Sequence, residues 1–149
     1  MSIKVGDKIP NFTALDTFGT TFNSNEVIGK KPVVIYFYPK DNTPGCTAQA
    51  CSFRDQYEDF LDLGAEVIGI SSDSVASHEK FSKQFKLPFI LLSDSNKKIR
   101  TLFGVPNAVF GLLPGRVTYV ANKEGIVIMQ FDSMLATKHI SKAIEALKK

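Results

Sequence analysis

Two cysteines, Cys46 and Cys51, are the residues whose type and spacing could do redox chemistry in this chain. A thiolate, not a thiol, is the nucleophile that attacks electrophilic oxygen or sulfur. A thiol of ordinary pKa is only about 3% ionised at pH 7, whereas one lowered to about 6 is roughly 90% ionised. A site of this kind therefore needs positive potential near the sulfur. The five-residue step adds a geometric condition. Along an ideal helix it rotates about 140° and rises about 7.5 Å, which sets the two Cα atoms roughly 8–9 Å apart. A disulfide needs them within about 7 Å, so the sulfurs cannot join while the helix between them stays wound. As a permanent staple, so short a loop is worth only about 2 kcal/mol. The spacing predicts a transient bond: Cys46 is oxidised, the first helical turns unwind, and Cys51 then reaches it. It differs from the Cys-x-x-Cys of thioredoxin-type motifs, and two cysteines are too few for a disulfide framework or a structural zinc site.

The elements around Cys46 must position it. Val33 to Tyr38 is a run of six apolar or aromatic residues without alternation, the pattern of a central strand covered on both faces. Pro39 ends the run, and Lys40 to Gly45 forms a short polar loop. From about Cys46 the period becomes helical. Ala50, Phe53, Tyr57 and Leu61 recur at three- and four-residue steps, and Gly64 stands where a C-terminal cap belongs. Cys46 thus falls where a buried strand gives way to a helix, the edge of an open α/β sheet at which ligands collect. A helix N-terminus offers unpaired N–H groups and about half a positive charge, and both favour a thiolate. Because Cys46 heads the apolar stripe, its sulfur is expected to point into the fold, at the bottom of a pocket. On position alone, a small buried structural cysteine would look the same.

The remaining pattern supplies the frame. Phe12 to Leu15 and Thr20 to Phe22 read as an N-terminal hairpin, and Glu66 to Ser71 as a second buried strand. Strand, helix and strand between residues 33 and 71 form a βαβ unit with a right-handed crossover. A helix follows over about Val75 to Phe85, a strand over Phe89 to Leu92, and a short helix over about Lys97 to Phe103. Gly104 to Arg116 is a loop carrying glycine and proline. A hairpin of Val117 to Ala121 and Ile126 to Phe131 precedes a terminal amphipathic helix with Ile140, Ile144 and Leu147. The expected fold is α/β and thioredoxin-like: a mixed central sheet flanked by helices, in one domain spanning residues 1–149. Its 149 residues fit that size. The net charge of +3 is spread over scattered lysine pairs, with no arginine-rich stripe, which argues against a nucleic-acid partner. No apolar run nears the ~18 residues of a membrane span. Residues 1–7 have neither a secretory nor a transit-peptide pattern, and the expectation from them is a cytoplasmic protein.

Pro39, Thr43 and Cys46 stand in the order Pro-x-x-x-Thr-x-x-Cys, which resembles the active-site motif of peroxiredoxins. The stretch from Phe37 to Asp55, with Cys51 five residues after Cys46, is similar to the bacterioferritin-comigratory, or PrxQ, branch of that family. The similarity extends to Gly6–Phe12, Glu66–Asp73, Leu92–Asp94 and Leu113–Tyr119, where the family keeps an arginine, here Arg116. The resemblance implies thiol-dependent reduction of hydrogen peroxide and organic hydroperoxides, with no cofactor and no metal. Cys46 is then the peroxidatic thiolate and Cys51 the resolving thiol of an intramolecular disulfide. Thioredoxin or a similar dithiol protein reduces it. Thr43 is expected to hydrogen-bond the thiolate and the peroxide, Pro39 to shield the sulfur from water, and Arg116 to bring in a guanidinium. Negative charge grows on the departing oxygen as the O–O bond breaks. Donors from Arg116, Thr43 and the Cys46 N–H would stabilise it as an oxyanion hole does. The branch is commonly monomeric. The loop Asn107 to Leu112 resembles plant and cyanobacterial versions, which makes a plastid the alternative compartment.

A dithiol exchanger or a non-enzymatic binding module could share this fold, since fold does not fix function. Neither has a use for the Thr43–Cys46 step with Arg116. His78 and His139 lie in expected helices and are assigned surface or packing roles. Arg54 is expected either to approach the site or to pair with Glu58 four residues on. Gln49, in the first turns beside Cys46, is assigned at most a supporting place, and the twelve phenylalanines read as core.

Overall fold

Strand β3, Val33–Phe37, is buried along its whole length, as its unbroken apolar run requires. In the computed structural model, residues 3–105, 107–108 and 113–149 are described, with the backbone alone for 107, 108, 113 and 114. Successive side chains of a strand point to opposite faces. Val34 and Tyr36 of β3, with Tyr38 beyond it, enter one core, and Val33, Ile35 and Phe37 enter the other. A strand of this kind can only be central, and β3 lies between β4 (Glu66–Ser71) and β8 (Val117–Ala121). β4 runs parallel to it and β8 antiparallel. The full order is β2-β1-β5-β4-β3-β8-β9, where β1 is Thr13–Leu15, β2 Thr21–Asn23, β5 Ile90–Ser93 and β9 Val127–Asp132. The N-terminal hairpin is not an appendage. β1 joins the main sheet through the pair Leu15↔Ser93.

The first core lies under α1 (Pro44–Asp55), α2 (Tyr57–Asp62), α3 (Val75–Phe85) and α5 (Lys138–Leu147), which contribute Phe53, Phe60, Phe81 and Ile140. The second is closed by α4 (Lys98–Phe103), through Ile99 and Phe103, and by Ile9 and Phe12 of the N-terminal segment. Helices therefore cover both faces of a mixed sheet, as expected. Gly69 is required where β4 passes Tyr36. A Cβ there would stand 2.8 Å from the tyrosine Cζ and from Leu91 Cδ2.

Three boundaries differ from the sequence expectation. The helix starts at Pro44, two residues before Cys46, because a proline in the first turn has no N–H to leave unpaired. It also does not run unbroken to Leu61. The backbone leaves helical geometry at Gln56 (φ −109°, ψ 15°), and α2 resumes with a shifted phase, so Phe60 is buried and Leu61 exposed. The expected loop from Gly104 to Arg116 contains two short paired strands, β6 (Asn107–Ala108) and β7 (Leu113–Pro114). Residues 109–112, on which the likeness to plant loops partly rests, lie outside the described residues. Among the described residues, no helix is long and apolar enough to cross a membrane.

Candidate active site

The site is assembled where β3 ends. The Tyr38 N–H still bonds to Ile70 of β4 at 3.1 Å, and the chain then turns through residues 39–43 into α1. That turn is tied down through Asp41. Its N–H donates to Asp73 Oδ2 at 2.8 Å, while its carboxylate accepts the Tyr38 hydroxyl at 2.6 Å and the Ser77 hydroxyl at 2.8 Å. His78 Nδ1 lies 2.7 Å from the same carboxylate, and Nε2 lies 3.0 Å from the Leu92 carbonyl. A carbonyl only accepts, so Nε2 is the nitrogen that donates there. The pair is buried. Burial, followed by the charge of Asp41, holds the Tyr38 phenol well above its ordinary range.

Thr43 is the N-cap residue of α1, in extended conformation. Its hydroxyl does not cap the helix. It donates to the Lys40 carbonyl at 2.9 Å, so its one proton is committed and its lone pairs are what it offers the site. The expected donor role of Thr43 toward a peroxide would require its hydroxyl to leave Lys40. Pro39 is half-buried at the head of the same turn.

Cys46, one turn into α1, is 1% exposed. Its position within the first three residues leaves its N–H without an intrahelical partner. Its sulfur meets a residue seventy positions away: Arg116 Nη2 donates to Cys46 Sγ at 3.3 Å. Arg116 is buried just before β8, and its Nη1 donates to Gln49 Oε1. Gly45 provides the room, because a Cβ there would stand 3.1 Å from Arg116 Nη2. Among the described residues, Arg116 Nε and Gln49 Nε2 are buried and have no partner. A buried donor left unpaired costs about 1–3 kcal/mol, and an oxygen-bearing guest beside the sulfur would satisfy it. Below the thiol, the Tyr36 phenol is held well above its ordinary range by burial first, then by the charges of Cys46 and Asp41. Cys51 is half-buried, both cysteines are free thiols, and α1 is intact between them.

The structure thus brings Cys46, Thr43, Pro39 and Arg116 to one end of the sheet and leaves Cys51 further along the helix. Gln49 was underrated by sequence, and its signal was its place three residues after Cys46, on the same helix face. Neither histidine is on the surface: His78 holds Asp41, and His139 Nδ1 lies 2.7 Å from the Thr118 hydroxyl. Arg54 takes a third course, donating to the Phe85 carbonyl at 2.8 Å and pairing with Asp55 at 3.0 Å instead of Glu58.

A family model described as the AhpC/TSA family matches residues 5–130. The chain belongs to that family. Among its relatives, the chloroplastic peroxiredoxin Q of Oryza sativa subsp. japonica is 50% identical over 147 residues, covering 98% of this chain and 67% of its own length. That of Arabidopsis thaliana is 49% identical over 147 residues, covering 98% of this chain and 68% of its own. Among solved structures, the peroxidoxin BcpB of Mycobacterium tuberculosis superposes with a TM-score of 0.90 at 34% identity, covering 98% of this chain and 97% of that one. A Xanthomonas campestris bacterioferritin comigratory protein, described for its alkyl peroxide reduction activity, gives 0.84 at 31% identity over 92% of this chain and 90% of that one. The chain is therefore a peroxiredoxin of the PrxQ and bacterioferritin-comigratory kind, with a thioredoxin-like fold and thiol peroxidase activity. Peroxides are the substrates of this family, and thioredoxin-like dithiol proteins its reductants. The plant relatives are chloroplastic, which fits the plastid alternative and gives the cytoplasmic expectation no support.

Proposed function

We propose that Cys46 is the peroxidatic thiolate and Cys51 its resolving partner. The observation that carries this reading is the buried contact of 3.3 Å between Arg116 Nη2 and Cys46 Sγ. The guanidinium supplies the positive potential that the thiolate needs, and it is a donor already in place for the oxygen that leaves. The Cys46 sulfur attacks the terminal oxygen of ROOH, an S–O bond forms, and the O–O bond breaks. The departing RO⁻ leaves as ROH after taking a proton from solvent. Arg116 and the Cys46 N–H face the growing charge, while Thr43 Oγ1, whose proton is held by Lys40, accepts from the peroxide O–H and orients it. Pro39 excludes water from one side of the sulfur. The sulfenic acid then condenses with the Cys51 thiol, forming the disulfide and releasing water. A dithiol protein of the thioredoxin type returns both thiols. Hydrogen peroxide and organic hydroperoxides are both substrates, the latter supported by the alkyl peroxide activity of the Xanthomonas relative. The enzyme acts as a monomer, in a plastid.

Stopped-flow mixing with hydrogen peroxide tests this directly. Cys46→Ser abolishes turnover, whereas Cys51→Ser allows one oxidation and then stalls with thioredoxin as reductant. Arg116→Ala slows the first step by about 10²–10³-fold, the usual cost of one oxyanion donor. A wild type no faster than a free thiol, or full turnover by Cys51→Ser, would refute the assignment.

A further inference from the structure

Arg100 stands on α4, on the side of the sheet opposite α1, and no step above uses it. It is 6% exposed. An unpaired buried charge is costly, so a guanidinium in such a place ordinarily meets a carboxylate. Among the described residues, Arg100 meets two main-chain oxygens instead. Nη2 donates to the Tyr38 carbonyl at 3.4 Å and Nη1 to the Gly115 carbonyl at 3.5 Å. Its guanidinium also lies over the face of Phe37, with the ring centre 5.7 Å away. Burial pushes its pKa down, and the more distant charge of Asp94 opposes that shift. Methionine would fill the same space without the desolvation, so core filling does not account for a cation here.

The location of the two carbonyls does. Tyr38 immediately precedes Pro39, and Gly115 immediately precedes Arg116. The β3–β8 ladder ends at the pair Phe37↔Val117. Beyond it the two chains part, one toward Cys46 and the other carrying the guanidinium that contacts its sulfur. Arg100 spans them at that point. Its own backbone is fixed, since the Asp94 carboxylate accepts the N–H groups of Ile99 at 2.9 Å and of Arg100 at 2.8 Å. Asp94 in turn donates its N–H to Ser71 of β4 at 2.8 Å. A continuous series of contacts runs from β4 through α4 to both halves of the site.

We infer that Arg100 is a positioning residue: its guanidinium bridges the carbonyls of Tyr38 and Gly115 and so sets Arg116 against Cys46. The inference rests on the reading of Cys46 and Arg116 as the reacting pair. A shift of about 1 Å in such a pair can cost on the order of 10²-fold in rate.

The test is a double-mutant cycle on the full chain, with the rate of Cys46 oxidation by hydrogen peroxide as readout and Tm measured alongside. Arg100→Met is expected to react about 10–100-fold more slowly per folded molecule. Arg100→Lys, whose single ammonium reaches one carbonyl, falls between it and wild type. In an Arg116→Ala background, Arg100→Met adds less than about twofold, because the brace acts through Arg116. A lowered Tm with an unchanged rate would make Arg100 merely structural and overturn the inference. Multiplicative effects in the double mutant would overturn it too. If Arg100→Met does not fold, Arg100→Lys and its pairing with Arg116→Ala carry the same test. A slow wild type would refute the peroxidase reading, whereas a fast wild type matched by the Arg100 variants would refute the brace alone.

Discussion

The two segments that meet at Cys46 are held in opposite ways. The turn ahead of it, residues 39–43, is fixed to β4, α3 and β5 through Asp41, Asp73, Ser77 and His78. Helix α1, which follows, has no side-chain cap at its N-terminus, and its first intrahelical bond is Thr47 N–H to the Thr43 carbonyl. Its apolar residues Ala50 and Phe53 rest on the sheet, and the bond from Arg54 to Phe85 anchors its far end. The contrast teaches what a thiol peroxidase with two cysteines on one helix has to separate. On the roles proposed for Cys46, Cys51 and Arg116, the frame that aligns sulfur, guanidinium and peroxide stays in place, while the turns carrying the sulfur come loose for Cys51 to reach it.

The largest effect is expected from breaking the frame. Asp41→Ala leaves His78 Nδ1 and the hydroxyls of Tyr38 and Ser77 without their acceptor. Each buried polar group left unsatisfied costs about 1–3 kcal/mol, so the three together are expected to cost about 3–5 kcal/mol. Guanidinium unfolding should show the free energy of unfolding falling by that amount, as a lower midpoint at constant slope. A loss under about 1 kcal/mol would mean that the turn is not held through Asp41, and the contrast with α1 would disappear.

A second part of the frame is sensitive to acid. His139 Nε2 donates to the Ser133 carbonyl at 2.7 Å, and the Ser133 N–H bonds to the Arg116 carbonyl at 3.1 Å. Nδ1 therefore accepts from Thr118, and the ring is neutral. Burial lowers its pKa to about 4, with the Ser133 carbonyl opposing and Arg116 adding to the shift. The sign follows from linkage. Between about 6.5 and 4 the unfolded chain binds a proton that the folded chain refuses, so stability falls as pH drops through that window. The loss amounts to about 3 kcal/mol by pH 4. Stability measured from pH 7 to pH 4 should show this slope in the wild type and lose it in His139→Asn. A slope of equal size in both would assign the acid sensitivity to other groups.

How much of this could be read in the chain depends on how local each cause is. The unbroken run Val33–Tyr38 declares a central strand because burial on both faces leaves no other pattern. Cys46 at the head of an apolar stripe declares its inward direction for the same reason. The break at Gln56 is invisible, since the stripe Ala50, Phe53, Tyr57, Leu61 continues through it. Only packing against the sheet selects Phe60. Arg116 was legible through family resemblance alone: its partner is seventy residues away, and no periodicity links the two. The pairs Asp41–His78 and Arg116–Gln49 were not legible, because a buried polar group finds its partner through tertiary contact. The proton of Thr43 belongs with these, since only coordinates reveal that Lys40 takes it.

The smallest effect probes the movable side. Ala48 is exposed in the second turn of α1, midway between the cysteines, and contributes nothing to the frame. Glycine in an exposed helix interior costs about 1 kcal/mol relative to alanine. If disulfide formation draws on a minor unwound population, that penalty enlarges the population by about fivefold. Ala48→Gly should therefore speed the conversion of sulfenic acid to disulfide about fivefold while lowering overall stability slightly. The preceding attack on peroxide should be unchanged, because the wound form still predominates and the frame is intact. Rapid mixing with intrinsic tyrosine fluorescence separates the two steps. An unchanged second step beside a lowered Tm would mean that unwinding does not limit resolution. The division between a fixed frame and a loosening helix would then describe the resting structure without describing the reaction.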